Sequence, residues 1–128
     1  MIFATTGTQL AFPRLMAALN GLAPDLGEEI IAQAGPDPAP YPALQIAATL
    51  TPAQYEDTVT RARLIVAHAG IGTILTARRH AKPLILVPRK AALGEHRNDH
   101  QWATAEQVSA LSGIYVAWDV EDLPALLA

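Results

Sequence analysis

Leu64-Ile65-Val66-Ala67 is an unbroken apolar run that ends at His68 and passes into the turn Gly70-Ile71-Gly72. A strand with no polar alternation has both faces buried, as in a parallel sheet covered by helices. Such a sheet needs right-handed crossover connections, and the rest of the chain supplies them. Ile2 to Thr6 enters Gly7-Thr8, after which Phe12, Leu15, Met16, Leu19 and Leu22 recur at helical spacing behind Pro13. Glu29 to Gln33 and Leu44 to Ala48 read as further strands, separated by the proline-rich loop Gly35 to Pro42. Thr51-Pro52 opens a helix to about Ala62. Thr73 to His80 is a helix stopped by Lys82-Pro83, and Leu84 to Val87 is another buried strand. Asn98 caps a helix expected to reach Leu111, Ile114 to Ala117 is a last strand, and Asp119 to Leu127 a closing helix. The fold class that follows is α/β, a Rossmann-like parallel sheet with helices on both faces.

The 128 residues make one domain, 1–128, with no room for a second. With 51% hydrophobic and only 16% charged residues, against roughly 25% charged in an average domain, the chain has apolar surface to share with a partner. A net charge of −3 gives no basic footprint, so no nucleic acid is expected as a partner. The absence of cysteine excludes disulfides, thiolate nucleophiles and cysteine zinc sites, and suits a reducing cytoplasm. Met1 to Thr6 lacks the basic region and long apolar core of a signal peptide, and no apolar run approaches a membrane span.

In an open parallel sheet ligands bind beyond the carboxyl ends of the strands, which singles out Gly7 to Gln9, His68 to Thr73 and Arg89 to Gln101. The turn His68-Ala69-Gly70-Ile71-Gly72-Thr73 joins a buried strand to a helix, where glycines let backbone amides approach an anion and the helix dipole favours negative charge. A diphosphate fits that geometry. There is no Gly-Lys-Ser/Thr ending for a P-loop, and Leu75 stands where a dinucleotide fingerprint has its third glycine. Ser109 and Ser112 lie in no nucleophile elbow. His96 and His100 have metal-ligand spacing, but no third well-placed ligand accompanies them, so no metal is assigned. The run Gly94 to Gln101 concentrates polar groups at one mouth of the sheet in a charge-poor chain.

With these residues located, the chain resembles the C-terminal domain of glycosyltransferase family 28, the C-terminal half of the GT-B fold. It is similar to free-standing small subunits of two-part UDP-sugar transferases, both the eukaryotic dolichol-linked N-acetylglucosaminyl transferase and bacterial exopolysaccharide glucuronosyltransferases. The resemblance runs through Gly7-Thr8, HAGIGT at His68 to Thr73, VPR at Val87 to Arg89 and GEHRNDHQ at Gly94 to Gln101. It implies that His68 faces the donor diphosphate, that Gly70, Gly72 and Thr73 cradle phosphate, and that Gln101 binds sugar hydroxyls. Gly7 and Thr8 match the first glycine turn at the cleft. Thr76 stands where many relatives carry a ribose-binding acid, and His100 where an aspartate often precedes the glutamine.

The implied activity is inverting transfer of a sugar from a UDP-sugar, the substrate, to a lipid-linked acceptor in polysaccharide biosynthesis, with no metal and no cofactor. Helix amides, His68 and Arg89 or Arg97 are placed to stabilise the leaving diphosphate. The general base belongs to the other GT-B half, expected on a membrane-associated partner that recruits this cytoplasmic chain to the membrane's cytoplasmic face and supplies the acceptor site. Arg89 and Arg97 favour glucuronic acid, whose carboxylate they can pair, over glucose or N-acetylglucosamine. A non-catalytic nucleotide-sugar-binding scaffold and a flavodoxin-like phosphate binder are the readings from other classes; HAGIGT offers the latter no aromatic to stack on a flavin.

Overall fold

The computed structural model describes residues 1–127. Six strands form one sheet: β1 (Ile2–Thr5), β2 (Ile30–Gln33), β3 (Gln45–Ala47), β4 (Leu64–His68), β5 (Leu84–Val87) and β6 (Ile114–Val116). All neighbours pair in parallel, in the order β3-β2-β1-β4-β5-β6. This is the doubly wound order, whose direction of winding reverses between β1 and β4. The helices are α1 (Pro13–Leu26), α2 (Pro52–Arg61), α3 (Ile71–Arg79), α4 (His100–Val108) and α5 (Leu123–Leu127).

Side chains alternate along each strand, so the central strands feed two cores. Ile2, Ala4, Val66, Ile85 and Val87 pack with Leu15, Met16 and Leu19 of α1 and with Leu123 and Leu127 of α5. On the other face Phe3, Ile65, Ala67, Leu84 and Leu86 pack with Val59 of α2, Ile74 and Ala77 of α3 and Ala105 of α4. The run Leu64 to Ala67 is buried throughout, as a central parallel strand requires.

Among the α-helices, the start of α2 follows its cap chemistry in full. Thr51 accepts from the Gln54 amide at 3.2 Å while Gln54 Oε1 accepts from the Thr51 amide at 2.9 Å, a complete capping box ahead of Pro52. Three helices differ from the sequence expectation at their ends. The helix after β4 begins at Ile71 rather than Thr73, which puts Gly72 and Thr73 in its first turn. The helix expected from Asn98 to Leu111 is shorter, because Asn98 Oδ1 accepts from the His100 amide at 3.0 Å ahead of it and the helix ends at Val108. The closing helix begins with a separate tight turn over Val120–Asp122, held by reciprocal bonds between Asp119 and Asp122.

Candidate functional site

The loops after β1 and β4 leave the switch point on opposite faces of the sheet and open a crevice between them. Thr5 donates its hydroxyl to Gln33 at 2.8 Å and accepts from the Gly7 amide at 3.2 Å, which pins the first turn to the end of its strand. Gly7 adopts φ +76°, and a side chain there would come within 3.2 Å of His68 Nε2. From the other side a Cβ on Gly70 would lie 2.5 Å from His68 Cε1 and 2.9 Å from Nε2. His68 therefore sits in a slot that exists only because two glycines flank it.

Gln101, from the first turn of α4, orients the ring. Its Oε1 accepts from the Ala69 amide at 3.3 Å and from the Arg89 amide at 3.1 Å, so its NH2 must be the end facing His68 Nδ1 at 3.0 Å. Nδ1 is then the acceptor, and neutral His68 carries its proton on Nε2, the nitrogen that faces the glycine slot. Burial, reinforced by the charges of Arg89 and His96, pushes the His68 pKa down to about 4. At neutral pH this ring is an uncharged, fixed-direction donor.

The low pKa has a consequence for stability. The unfolded chain takes up the histidine proton near 6.5, the folded chain only near 4, so stability falls as pH drops through that interval and this group adds no further loss below it. Wild type should lose about 2 kcal/mol more than His68→Asn between pH 7 and 4.5, read from urea midpoints. Equal losses would show that the folded chain does not resist protonating this ring.

Beside the ring, α3 starts without a side-chain cap, and its first backbone bond runs from the Ile74 amide to the Gly70 carbonyl at 3.2 Å. The amides of Ile71, Gly72 and Thr73 precede that bond and have no intrahelical acceptor. Three backbone donors and the positive end of a helix thus share one corner with His68 Nε2. Two clefts meet there. One, of about 530 Å³, is lined by Thr6, Gly7, Gln9, Arg89, His96 and Gln101; the other, of about 430 Å³, by Gln33, Tyr55, Gly70, Thr73 and Thr76. Thr8, Gly7, His68 and Gly72 border both.

Several expected residues are present in other capacities. Arg89, expected to stabilise the leaving group, is 1% exposed and its guanidinium is spent on the backbone. Nη1 donates to the carbonyls of Ala11 at 2.6 Å and Glu95 at 3.4 Å, and Nη2 to those of Thr6 and Leu10, each at 2.8 Å. Its centre lies 4.8 Å from the Phe12 ring centroid, so this cation staples the loop after β1 under the cleft. Gln101, expected on sugar hydroxyls, spends its Oε1 on two backbone amides and one N–H on His68, which leaves its second N–H without a partner among the described residues. Thr76 borders the second cleft but returns its hydroxyl to the Gly72 carbonyl at 3.0 Å. His100 is exposed on α4 and lines neither cleft; Arg97 is exposed at an adjoining cleft with Gln9, Leu10 and His96.

Two other contributors had no donor-site role assigned from sequence, where His96 was weighed only with His100 as a metal pair. Glu95 accepts from Arg14 at 2.8 and 3.0 Å and from the Lys90 amide at 2.9 Å, which fixes the loop carrying His96. His96 lines the first cleft, and its Nδ1 is buried without a hydrogen-bond partner. The sequence signals were the density of polar residues between Gly94 and Gln101 and, for His96, its spacing to His100.

The strand order and the uncapped helix start at its reversal define a Rossmann-like domain with a crevice at its switch point. The chain belongs to the glycosyltransferase family 28 C-terminal domain family, which it matches over residues 1–127. It is 39% identical over 71 residues to the UDP-N-acetylglucosamine transferase subunit ALG13 of Eremothecium gossypii, covering 48% of this chain and 35% of that protein. Among solved structures it is similar to glycosyltransferase SsfS6 of Streptomyces sp. SF2575, complexed with thymidine diphosphate, with TM-score 0.64, 25% identity and coverage of 98% of this chain and 30% of that one. Glycosyltransferase SnogD of Streptomyces nogalater shares the fold with TM-score 0.65 at 19% identity, over 98% of this chain and 34% of that one. The chain thus spans about a third of the length of each of these relatives.

Proposed function

We propose that this chain is the donor-binding part of an inverting glycosyltransferase and holds the diphosphate of a UDP-sugar at the corner made by His68, Gly70, Gly72 and Thr73. The observation that carries this reading is the convergence of His68 Nε2 with three unbonded helix amides in a charge-poor crevice. The diphosphate supplies acceptors for all four donors, the nucleoside extends past Thr76 and Tyr55, and the sugar extends past Gln101 toward His96. As the glycosidic bond to the leaving UDP breaks, negative charge grows on the phosphate oxygen, and donors already aimed there stabilise it without reorganising. A neutral histidine suits this step, because it needs no proton from solvent at pH 7.

The corner gathers donors for a leaving group, and transfer also calls for a general base, an acceptor site and a membrane attachment. These are assigned to a partner carrying the other GT-B half, membrane-associated and presenting a lipid-linked acceptor at the cytoplasmic face. Leu10, Ile71, Leu75 and Leu93 support this, since all four are exposed near the clefts, Ile71 at 59% and Leu75 at 62%. No helix among the described residues is long and apolar enough to cross a membrane. Glucuronic acid in exopolysaccharide synthesis is the favoured sugar, because Arg97 remains uncommitted at the sugar end. The likeness to ALG13 favours N-acetylglucosamine as the second reading.

In the reconstituted two-part complex, His68→Ala should lower kcat/KM for sugar transfer about 100-fold, the loss typical of one preorganised donor. Unchanged turnover would remove His68 from the reaction. A complex that binds UDP-sugars but transfers none would leave a scaffold module instead.

A further inference from the structure

We propose that Gln33 holds the ribose of the donor through its carboxamide nitrogen, so that the site takes ribonucleoside rather than 2′-deoxyribonucleoside diphosphates; this deepens the donor-binding reading and rests on it. Gln33 ends β2 beside the turn after β1, where its carbonyl accepts from the Thr6 amide at 3.0 Å and the Thr6 hydroxyl at 3.2 Å. Its side chain is fixed as well. Thr5 Oγ1 accepts from the Gly7 amide at 3.2 Å, so its one proton goes to Gln33, and the end of the carboxamide that meets it at 2.8 Å is Oε1. The NH2 group is the free end.

Gln33 is 5% exposed, yet Nε2 has no hydrogen-bond partner among the described residues. Unlike His96 Nδ1 it is not sealed off, for it keeps accessible surface and Gln33 lines the cleft of about 430 Å³ with Tyr55, Thr73 and Thr76. A carboxamide this buried and this rigid calls for a partner. Thr8 and Gln9, at the rim of the same crevice, are exposed and call for none, because water satisfies them. What reaches Gln33 follows from the sheet. The diphosphate corner follows β4, and β1 separates β4 from β2. Strands lie about 4.8 Å apart, which sets Gln33 roughly 10 Å across the sheet from the corner, past the phosphates and level with the sugar they are attached to. A ribose presents two neighbouring hydroxyl oxygens there, and the two N–H groups of one carboxamide match them.

UDP and 2′-deoxyuridine diphosphate differ in one hydroxyl, so calorimetric titration of both into the full chain isolates the contact. Wild type should bind UDP about tenfold more tightly, the upper end for one net neutral hydrogen bond. Gln33→Met, close in volume and without the amide, should bring that ratio to about 1; any change in the folded fraction scales both affinities alike and cancels. The side-chain NH2 resonances of Gln33 in wild type give a second readout that needs no variant. They should shift with UDP and stay in place with inorganic pyrophosphate, which carries no ribose. A wild-type ratio near 1, a preference that survives in Gln33→Met, or equal shifts with pyrophosphate overturns this proposal, while UDP binding preserves the donor-site reading. If Gln33→Met does not fold, the resonances decide. Failure of wild type to bind UDP overturns both.

Discussion

Gly70→Ala is expected to weaken UDP binding about 100-fold while the chain stays folded. The backbone of Gly70 has φ −97° and ψ 140°, which alanine adopts freely, so no backbone strain arises. The cost is local: a Cβ there falls 2.5 Å from His68 Cε1, and the ring must rotate out of the slot. Rotation breaks the 3.0 Å contact with Gln101, frees the tautomer and turns Nε2 away from the helix amides. One misdirected charge-facing donor corresponds to about 3 kcal/mol, hence the factor of 100. The two changes at Gly70 and His68 should be non-additive. In a His68→Ala background the clash partner is gone, and Gly70→Ala should then cost almost nothing further. Calorimetry on the two single variants and the double variant checks this; equal losses in both backgrounds would mean that the glycine matters for some other reason.

Arg89→Leu should destabilise the fold by about 3–5 kcal/mol, a large part of the roughly 5–15 kcal/mol available to a domain. Leucine fills part of the volume but leaves the carbonyls of Thr6, Leu10, Ala11 and Glu95 without their donor. Arg89→Lys keeps the charge, yet one ammonium cannot span four carbonyls, so about half of that loss should remain. Urea midpoints measure both. A stable Arg89→Leu variant with weakened UDP binding would reverse the assignment and return Arg89 to the ligand.

These two residues also show what the sequence made legible. The run Leu64 to Ala67, its terminal His68 and the following glycines located the crevice, because strand burial, turn chemistry and helix start are local properties. Thr51-Pro52 announced α2 for the same reason. Arg89 and Gln101 line the crevice as the sequence suggested, but the partners they hold within the chain lie far away in sequence. Arg89 reaches back 83 residues to Thr6 and 79 to Leu10, and Gln101 reaches 33 to His68. Residue type announces that a guanidinium or amide will be satisfied; only the fold tells by whom. The unpartnered nitrogen of His96 was beyond sequence reasoning, since an unmet bond is visible only after the met ones are counted. The Asn98 turn that delays α4 was misread because the same side chain that can cap a helix can also close a turn ahead of it.

The central claim is that a nucleoside diphosphate occupies the corner between His68 and the start of α3. Titration of the full chain with UDP, followed through its backbone amide resonances, tests it most directly. The predicted result is saturable shifts concentrated at Ile71, Gly72 and Thr73, with Gly7 and Thr8 following. Saturable shifts confined to the cleft at the far end of the sheet, around Arg78, Lys82 and Gly113, or no shifts at all, would contradict it.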